Sequence, residues 1–173
     1  MIITLQFCTL ANPSFTIKMG CMRSFELNIF IDRPRGEVYD HLSEPINMIG
    51  LQAYLTTIDI LKEQKDSSGI LLRPFYMLET HRWAGLPLFK NRVYTVIHLL
   101  NPKKELVIRQ FSRPGIRIAY HYEFHEIEAE RTHLIQRAEF EQVNKLLENF
   151  VFKRANKAQR ALLTNLKVRL EKQ

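Results

Sequence analysis

The sequence predicts an α+β domain: a curved antiparallel sheet of about six to seven strands wrapped around one long C-terminal helix, with two short helices after the first strand. Three observations predict it. Phe25, Leu27, Ile29 and Ile31 alternate with polar residues, a period of two that marks a strand with one buried face. Residues 54–142 then read as strand after strand joined by short turns, which implies antiparallel pairing. In the last thirty residues Leu147, Val151, Ala155, Ala158 and Leu162 fall on one side at helical spacing. A single helix covers that many strands only if the sheet curls around it.

Each element has its own justification. After the first strand, Pro34 suits the first turn of a helix, where its missing N–H is no loss, and Val38, Tyr39 and Leu42 share one helical face. Pro45 ends that helix and opens the next, with Ile46 and Ile49 one turn apart and Gly50 as the stop. The two short helices are placed to plug one end of the curled sheet. Residues 54–64 alternate loosely up to the turn "KDSSG". Residues 70–80 form a further strand; Pro74 inside it predicts an edge position or a bulge. "WAGLP" reads as a loop, 89–100 as a strand, and "NPKK" as a turn. Strands 105–112 and 116–127 flank "RPG", and 132–142 completes the sheet before the helix.

Composition sets the class. At 173 residues, 46% apolar and 25% charged, the chain is sized for one soluble domain, here residues 23–173. Residues 1–22 break the pattern and are read as a loose extension or a misplaced start, with Met19 and Met22 as internal starts; an added edge strand or a cleaved signal are the alternatives. No apolar run approaches the roughly 20 residues of a membrane span. Cys8 and Cys21 make neither a disulfide framework nor a zinc site, so a cytoplasmic setting is the expectation. The net charge of +7 is concentrated: residues 144–173 hold eight Lys/Arg against two Glu. A basic excess confined to one helix argues against nucleic acid as a partner. Its stripe Lys153, Arg160 and Lys167 leaves weak contact with an anionic membrane surface as an expectation, and exposed edge strands leave the chain a monomer or a homodimer.

The arrangement resembles the START-like superfamily, also called SRPBCC, over residues 23–172. "IDRPRGEVYDHLSEP" is similar to its opening strand-to-helix signature, "LNPKKELVIRQ" to its central turn and strand, and "THLIQRAEFE" with the helix ending "LTNLKVRLE" to its closing elements. Within the superfamily the chain looks most like the polyketide cyclase/dehydrase-like branch, departing from it at "EPINMIGLQ", where many relatives carry a Trp-Pro-like pair. The resemblance implies a helix-grip fold with an elongated apolar cavity between sheet and long helix. It implies a hydrophobic or amphipathic ligand such as a lipid, polyketide or quinone. It brings no universal catalytic motif, no cofactor and no metal, since fold does not decide function.

Candidate site residues follow from facing. Ile118, Tyr120, Tyr122 and Phe124 share one strand face, which is expected to point inward and line the cavity; plain core packing is the alternative. Tyr76, Trp83 and Tyr94 are further aromatic candidates for the cavity wall. Arg109 shares a face with Val107 and Phe111, so it points inward toward an anionic group if Phe111 does, and outward if Leu106 and Ile108 are the inner residues. Arg154 lies near the apolar side of the last helix, where it either reaches an acidic ligand or snorkels past the edge. Glu79, His81 and Arg82, beside Trp83, mark either a cavity mouth with acid/base potential or a surface loop. His98 reads as a core or surface histidine rather than a proton shuttle. His121, Glu123 and His125 share a strand face, but neighbours two apart are about 6.6–6.8 Å apart along the chain, which spreads them too widely for one metal ion.

Two functions remain. One is binding of a hydrophobic or amphipathic small molecule. The other is a cyclase/dehydratase- or hydrolase-type enzyme acting on such a ligand in the same cavity. No decisive acid–base set, Gly-rich phosphate loop or nucleophile motif is present, so no catalytic residue is named.

Overall fold

A computed structural model describes residues 23–83 and 86–172, and within these the side chains of 81–83 and 86–89 are not described. The extension 1–22 with Cys8 and Cys21, the centre of the "WAGLP" turn, and the side chains of His81, Arg82 and Trp83 therefore lie outside the described residues.

The chain begins with β1 (Ser24–Ile31), α1 (Arg35–Ser43) and a 3-10 turn (Pro45–Met48). Seven strands follow: β2 (Leu55–Ile60), β3 (Gln64–Lys65), β4 (Leu71–Trp83), β5 (Leu86–Asn101), β6 (Glu105–Ser112), β7 (Ile116–Glu128) and β8 (Arg131–Gln142). The chain closes with α2 (Glu148–Glu171). All strand pairs are antiparallel in the order β1-β8-β7-β6-β5-β4-β2, with β3 also on β4, making one eight-stranded sheet.

The sheet exceeds the six to seven strands expected because the 54–64 run breaks at residues 61–63 and resumes as the two-residue β3. That break also explains Pro74. It is neither on an edge strand nor at a bulge, since it pairs in register with Val96 of β5. On its other side the β2 pairing ends at Phe75 and the β3 pairing starts at Leu72. The Pro74 carbonyl accepts from the Leu61 N–H at 3.0 Å, so the missing N–H faces the interval between the two short partners. The turn before β4 is held by Asp66, whose Oδ1 accepts from the Ser68 N–H and the Ile70 N–H, both at 2.9 Å. β4 and β5 run further than the alternation predicted, through His81 and Arg82 rather than into a loop.

The core lies between the inner face of the sheet and α2. Leu162, Leu163, Leu166 and Leu170 of α2 join one apolar cluster with Leu27, Ile31, Val38, Leu42 and Leu51, so α1 and the 3-10 turn close that end. Polar groups stitch the same half of the helix in place. Arg169 donates to the carbonyls of Asn47 (2.6 Å) and Ile49 (2.7 Å), and Asn165 to that of Leu51 (2.9 Å). Arg33 donates to the Leu170 carbonyl at 2.8 Å, Lys167 to the Phe30 carbonyl at 2.7 Å, and Glu171 accepts the Asp32 N–H at 2.8 Å. Gly50, next to the Ile49 that Arg169 holds, has φ +81°, a backbone conformation that favours glycine, and an added Cβ would stand 2.8 Å from the guanidinium.

Candidate ligand cavity

Toward its N-terminal end α2 changes character. Leucines give way to Val151, Ala155 and Ala158, shorter side chains that leave space above β4 to β7, while Phe152 packs on Phe25 and Phe140 at 5.6 and 5.4 Å between centroids. What remains is a cavity of about 390 Å³ between this half of the helix and β4 to β7. Val93, Ile116, Ile118, Val151, Ala155 and Ala158 supply its apolar wall. Neutral polar groups are interspersed: Gln52, Asn91, Gln110, Ser112, Tyr120 and Gln159. The charged lining residues are Glu79, Lys90, Arg113 and Arg154. The exposed side chains of Lys90, Arg113 and Phe150 place the mouth beside the β6–β7 turn and the start of α2. Beyond Tyr120 and Gln159 the interior narrows to a gap of about 10 Å³ among Met48, Leu55, Met77, Ile108 and Tyr122, too small for a ligand group.

The floor is a buried polar network. Gln136 (0% exposed) on β8 donates from Nε2 to the Tyr122 hydroxyl at 2.8 Å and to Gln159 Oε1 at 2.7 Å. Tyr122 in turn donates to Gln159 Oε1 at 3.3 Å. Gln159 also interacts with the Tyr120 phenol. Burial raises both phenol pKa values well above the ordinary range; at Tyr120 the nearby Glu79 carboxylate pushes the same way, and Gln159 opposes. The shift favours the protonated Tyr120 phenol, which can donate a hydrogen bond into the cavity.

The candidates are divided between the two faces. Tyr120 and Arg154 line the cavity, and Arg154 also lies over the Tyr54 ring, 5.1 Å from its centroid. Tyr122 sits one layer below, in the network. Phe124 is inward but at the closed end, edge-on to Tyr39 of α1 at 5.3 Å between ring centroids. Tyr76, Tyr94 and Arg109 are corrections: they stand on the outer face. On β5 the inward residues are Asn91 and Val93, which puts Tyr94 outside, and its register partners Tyr76 and Phe111 lie outside with it. These rings pack at 5.3 and 5.8 Å between centroids, and the Arg92 guanidinium lies 3.8 Å over Tyr76. Gln110 and Ile108 face inward on β6, so Arg109 turns outward to Glu141 at 3.4 Å. Of Trp83 only the backbone, at the end of β4, is described. His121 and His125 meet Glu139 (3.5 Å) and Glu123 (3.3 Å) separately. In the basic stripe Lys167 pairs with Glu171 at 2.5 Å and Arg160 donates to Asn156 at 2.8 Å; Lys153 is exposed. No helix among the described residues is long and apolar enough to cross a membrane.

Sequence reasoning missed Gln136, Gln159, Gln110, Ser112 and Asn91. The available signal was Gln136 within the otherwise apolar-inward face Leu134, Ala138, Phe140, a polar residue where the alternation demands an apolar one.

No family model and no curated protein matches this sequence. Solved structures do match. The Zhui aromatase/cyclase from a Streptomyces species superimposes with a TM-score of 0.59 at 17% identity, over 86% of this chain and 96% of that one. A START superfamily protein from Mycobacterium smegmatis gives 0.62 at 13% identity, over 86% and 97%. The di-domain aromatase/cyclase BexL of the BE-7585A biosynthetic pathway gives 0.58 at 17% identity, over 84% of this chain and 49% of that one, about one of its two domains. With β1 leading into short helices and an antiparallel sheet curved about α2, the chain has the helix-grip fold of these START-like structures.

Proposed function

We propose that the protein binds a hydrophobic or amphipathic small molecule in the cavity between β4–β7 and the N-terminal half of α2, in the cytoplasm. The observation that carries this reading is the cavity itself: about 390 Å³, reachable from solvent, apolar along its walls and ending in hydrogen-bonding groups. Its volume falls at the lower end of the range of roughly 300–1,000 Å³ usual for small-molecule sites. Apolar burial supplies the affinity at about 25 cal/mol per Å², less the entropy lost on binding. Tyr120, Gln159 and Gln110 orient an oxygen-bearing end. Native mass spectrometry of the purified protein, with extraction of what co-purifies, tests it: one apolar compound at a fixed stoichiometry is expected. An empty protein whose Tm is unmoved by fatty acids, sterols, quinones and aromatic polyketides would overturn the reading.

One observation favours cyclase/dehydratase- or hydrolase-type chemistry in the same place. The protonated Tyr120 phenol can polarise a ligand carbonyl, and the Glu79 carboxylate lines the same cavity as a candidate proton acceptor. Two of the similar structures are aromatase/cyclases. Under this reading Tyr120→Phe abolishes turnover of a bound polyketide while its affinity changes little; under the carrier reading there is no turnover to lose.

A further inference from the structure

The charges around the cavity are arranged by depth. Lys90 and Arg113 stand exposed at the mouth, and Arg154 reaches the same space from α2. Among the lining residues the one carboxylate is Glu79, which accepts from Asn91 at 3.3 Å and is close enough to the buried Tyr120 to raise its pKa. Three cations and one carboxylate thus line the cavity, and its buried floor, Tyr120 and Gln159, is neutral.

On the outer face Arg92, Arg109 and Arg137 each meet a carboxylate, Asp59, Glu141 and Glu26 respectively. Among the described residues Lys90 and Arg113 form no such ion pair, and both line the cavity. Like charges held together at a partly apolar opening focus a positive potential there. An anionic group on a ligand would satisfy it with charge-assisted hydrogen bonds.

We propose that the ligand of this cavity is a compact organic anion, bound with its acidic group at the mouth against Lys90, Arg113 and Arg154 and its apolar body inward. The inference rests on the reading of the cavity as a ligand site and adds the ligand's charge and orientation. The floor fixes the direction: Tyr120 and Gln159 are buried and neutral, so a carboxylate inserted first would lose its hydration with no cation to meet it. The neutral donors Tyr120 and Gln159 meet the opposite end, so a hydroxyl or carbonyl there adds to binding.

The test is isothermal titration at neutral pH with naphthoate against its methyl ester, and decanoate against methyl decanoate, in the wild type and in a Lys90→Gln, Arg113→Gln double variant. Both replaced residues are exposed, and the ester's affinity reports whether the cavity is intact. In the wild type each acid is expected to bind about 10-fold or more tightly than its ester, as a charged hydrogen bond supplies. That preference is expected to shrink with added salt and to fall several-fold in the double variant, where Arg154 alone of the three cations remains, with the ester unchanged. Esters that bind as well as their acids, or a preference undiminished in the double variant, overturn the charge assignment while leaving the cavity a binding site. Failure of all four compounds to bind overturns both.

Discussion

The two halves of α2 rest on the same sheet and make opposite uses of it. From Leu162 onward the helix presents leucines, which fill the interior against β1, α1 and the 3-10 turn, and six side-chain-to-backbone hydrogen bonds fasten it there. From Phe150 to Gln159 it presents valine and alanines above the open ends of β4 to β7, and the interior is left hollow. Gln159 is the divide, buried and bonded to Tyr122 and Gln136. The comparison teaches that a cavity in this fold is made by withholding side-chain volume along one turn or two of helix, while stability is concentrated elsewhere on the same helix.

Substitutions separate the halves. Leu166→Ala, at a position with 0% exposure in the filled half, is expected to cost about 2–5 kcal/mol in urea unfolding, through lost burial and the void left behind. A cost no larger than that of an exposed position would show that this half is not the anchor. At the divide, Gln136→Leu removes the donor shared by Tyr122 and Gln159 and is expected to cost about 1–3 kcal/mol, partly offset because Gln136 Oε1 has no protein partner to lose. In the hollow half, Ala158→Leu adds volume where there is space. It is expected to leave stability unchanged or raise it by up to about 1 kcal/mol, while abolishing ligand binding. Equal losses of stability from Ala158→Leu and Leu166→Ala would erase the distinction.

The smallest effect belongs to pH. The His41 imidazole, beneath the closed end, is held below its ordinary pKa of 6.5, first by burial and then by the Arg169 guanidinium. Below that value the unfolded chain takes up a proton that the folded protein does not. Stability is therefore expected to fall as pH drops through 6.5 and to level off below the folded pKa. His98 and His133 are shifted in the same direction, mainly by burial, and add to the same window. The difference between wild type and His41→Gln in denaturation midpoints across this range isolates the His41 share.

The contrast between the halves also shows what the sequence disclosed. The inward face of β7 was legible because Ile118, Tyr120, Tyr122 and Phe124 alternate with Arg117, His121 and Glu123, so only one face can be buried. The α2 stripe was legible for the same reason at helical period. Tyr76 and Tyr94 were misplaced because β4 and β5 are apolar on both faces: Phe75 and Met77 oppose Tyr76 and Leu78, and Val93 and Ile97 oppose Tyr94 and Val96. A period of two carries no sign when both phases are apolar. On β6 the sequence left both phases open, and the structure takes the one with Leu106 and Ile108 inward; Gln110 and Ser112 of that face line the cavity, which is why polar residues end it. The floor escaped because Gln136 and Gln159 meet across 23 residues, a pairing that only the folded chain defines.

The fastening of one half of α2 has a consequence in time as well as in space. Amide hydrogens from Leu162 to Leu170 are bound to a region whose opening requires the closed end to come apart, so they should exchange with solvent only through global unfolding. Those from Val151 to Ala158 lie over the cavity, held to the core by Phe152 and Ala155 but by none of those six bonds, and should exchange sooner. A single uninterrupted helix would then carry two clocks, and the faster one would slow when the cavity is filled.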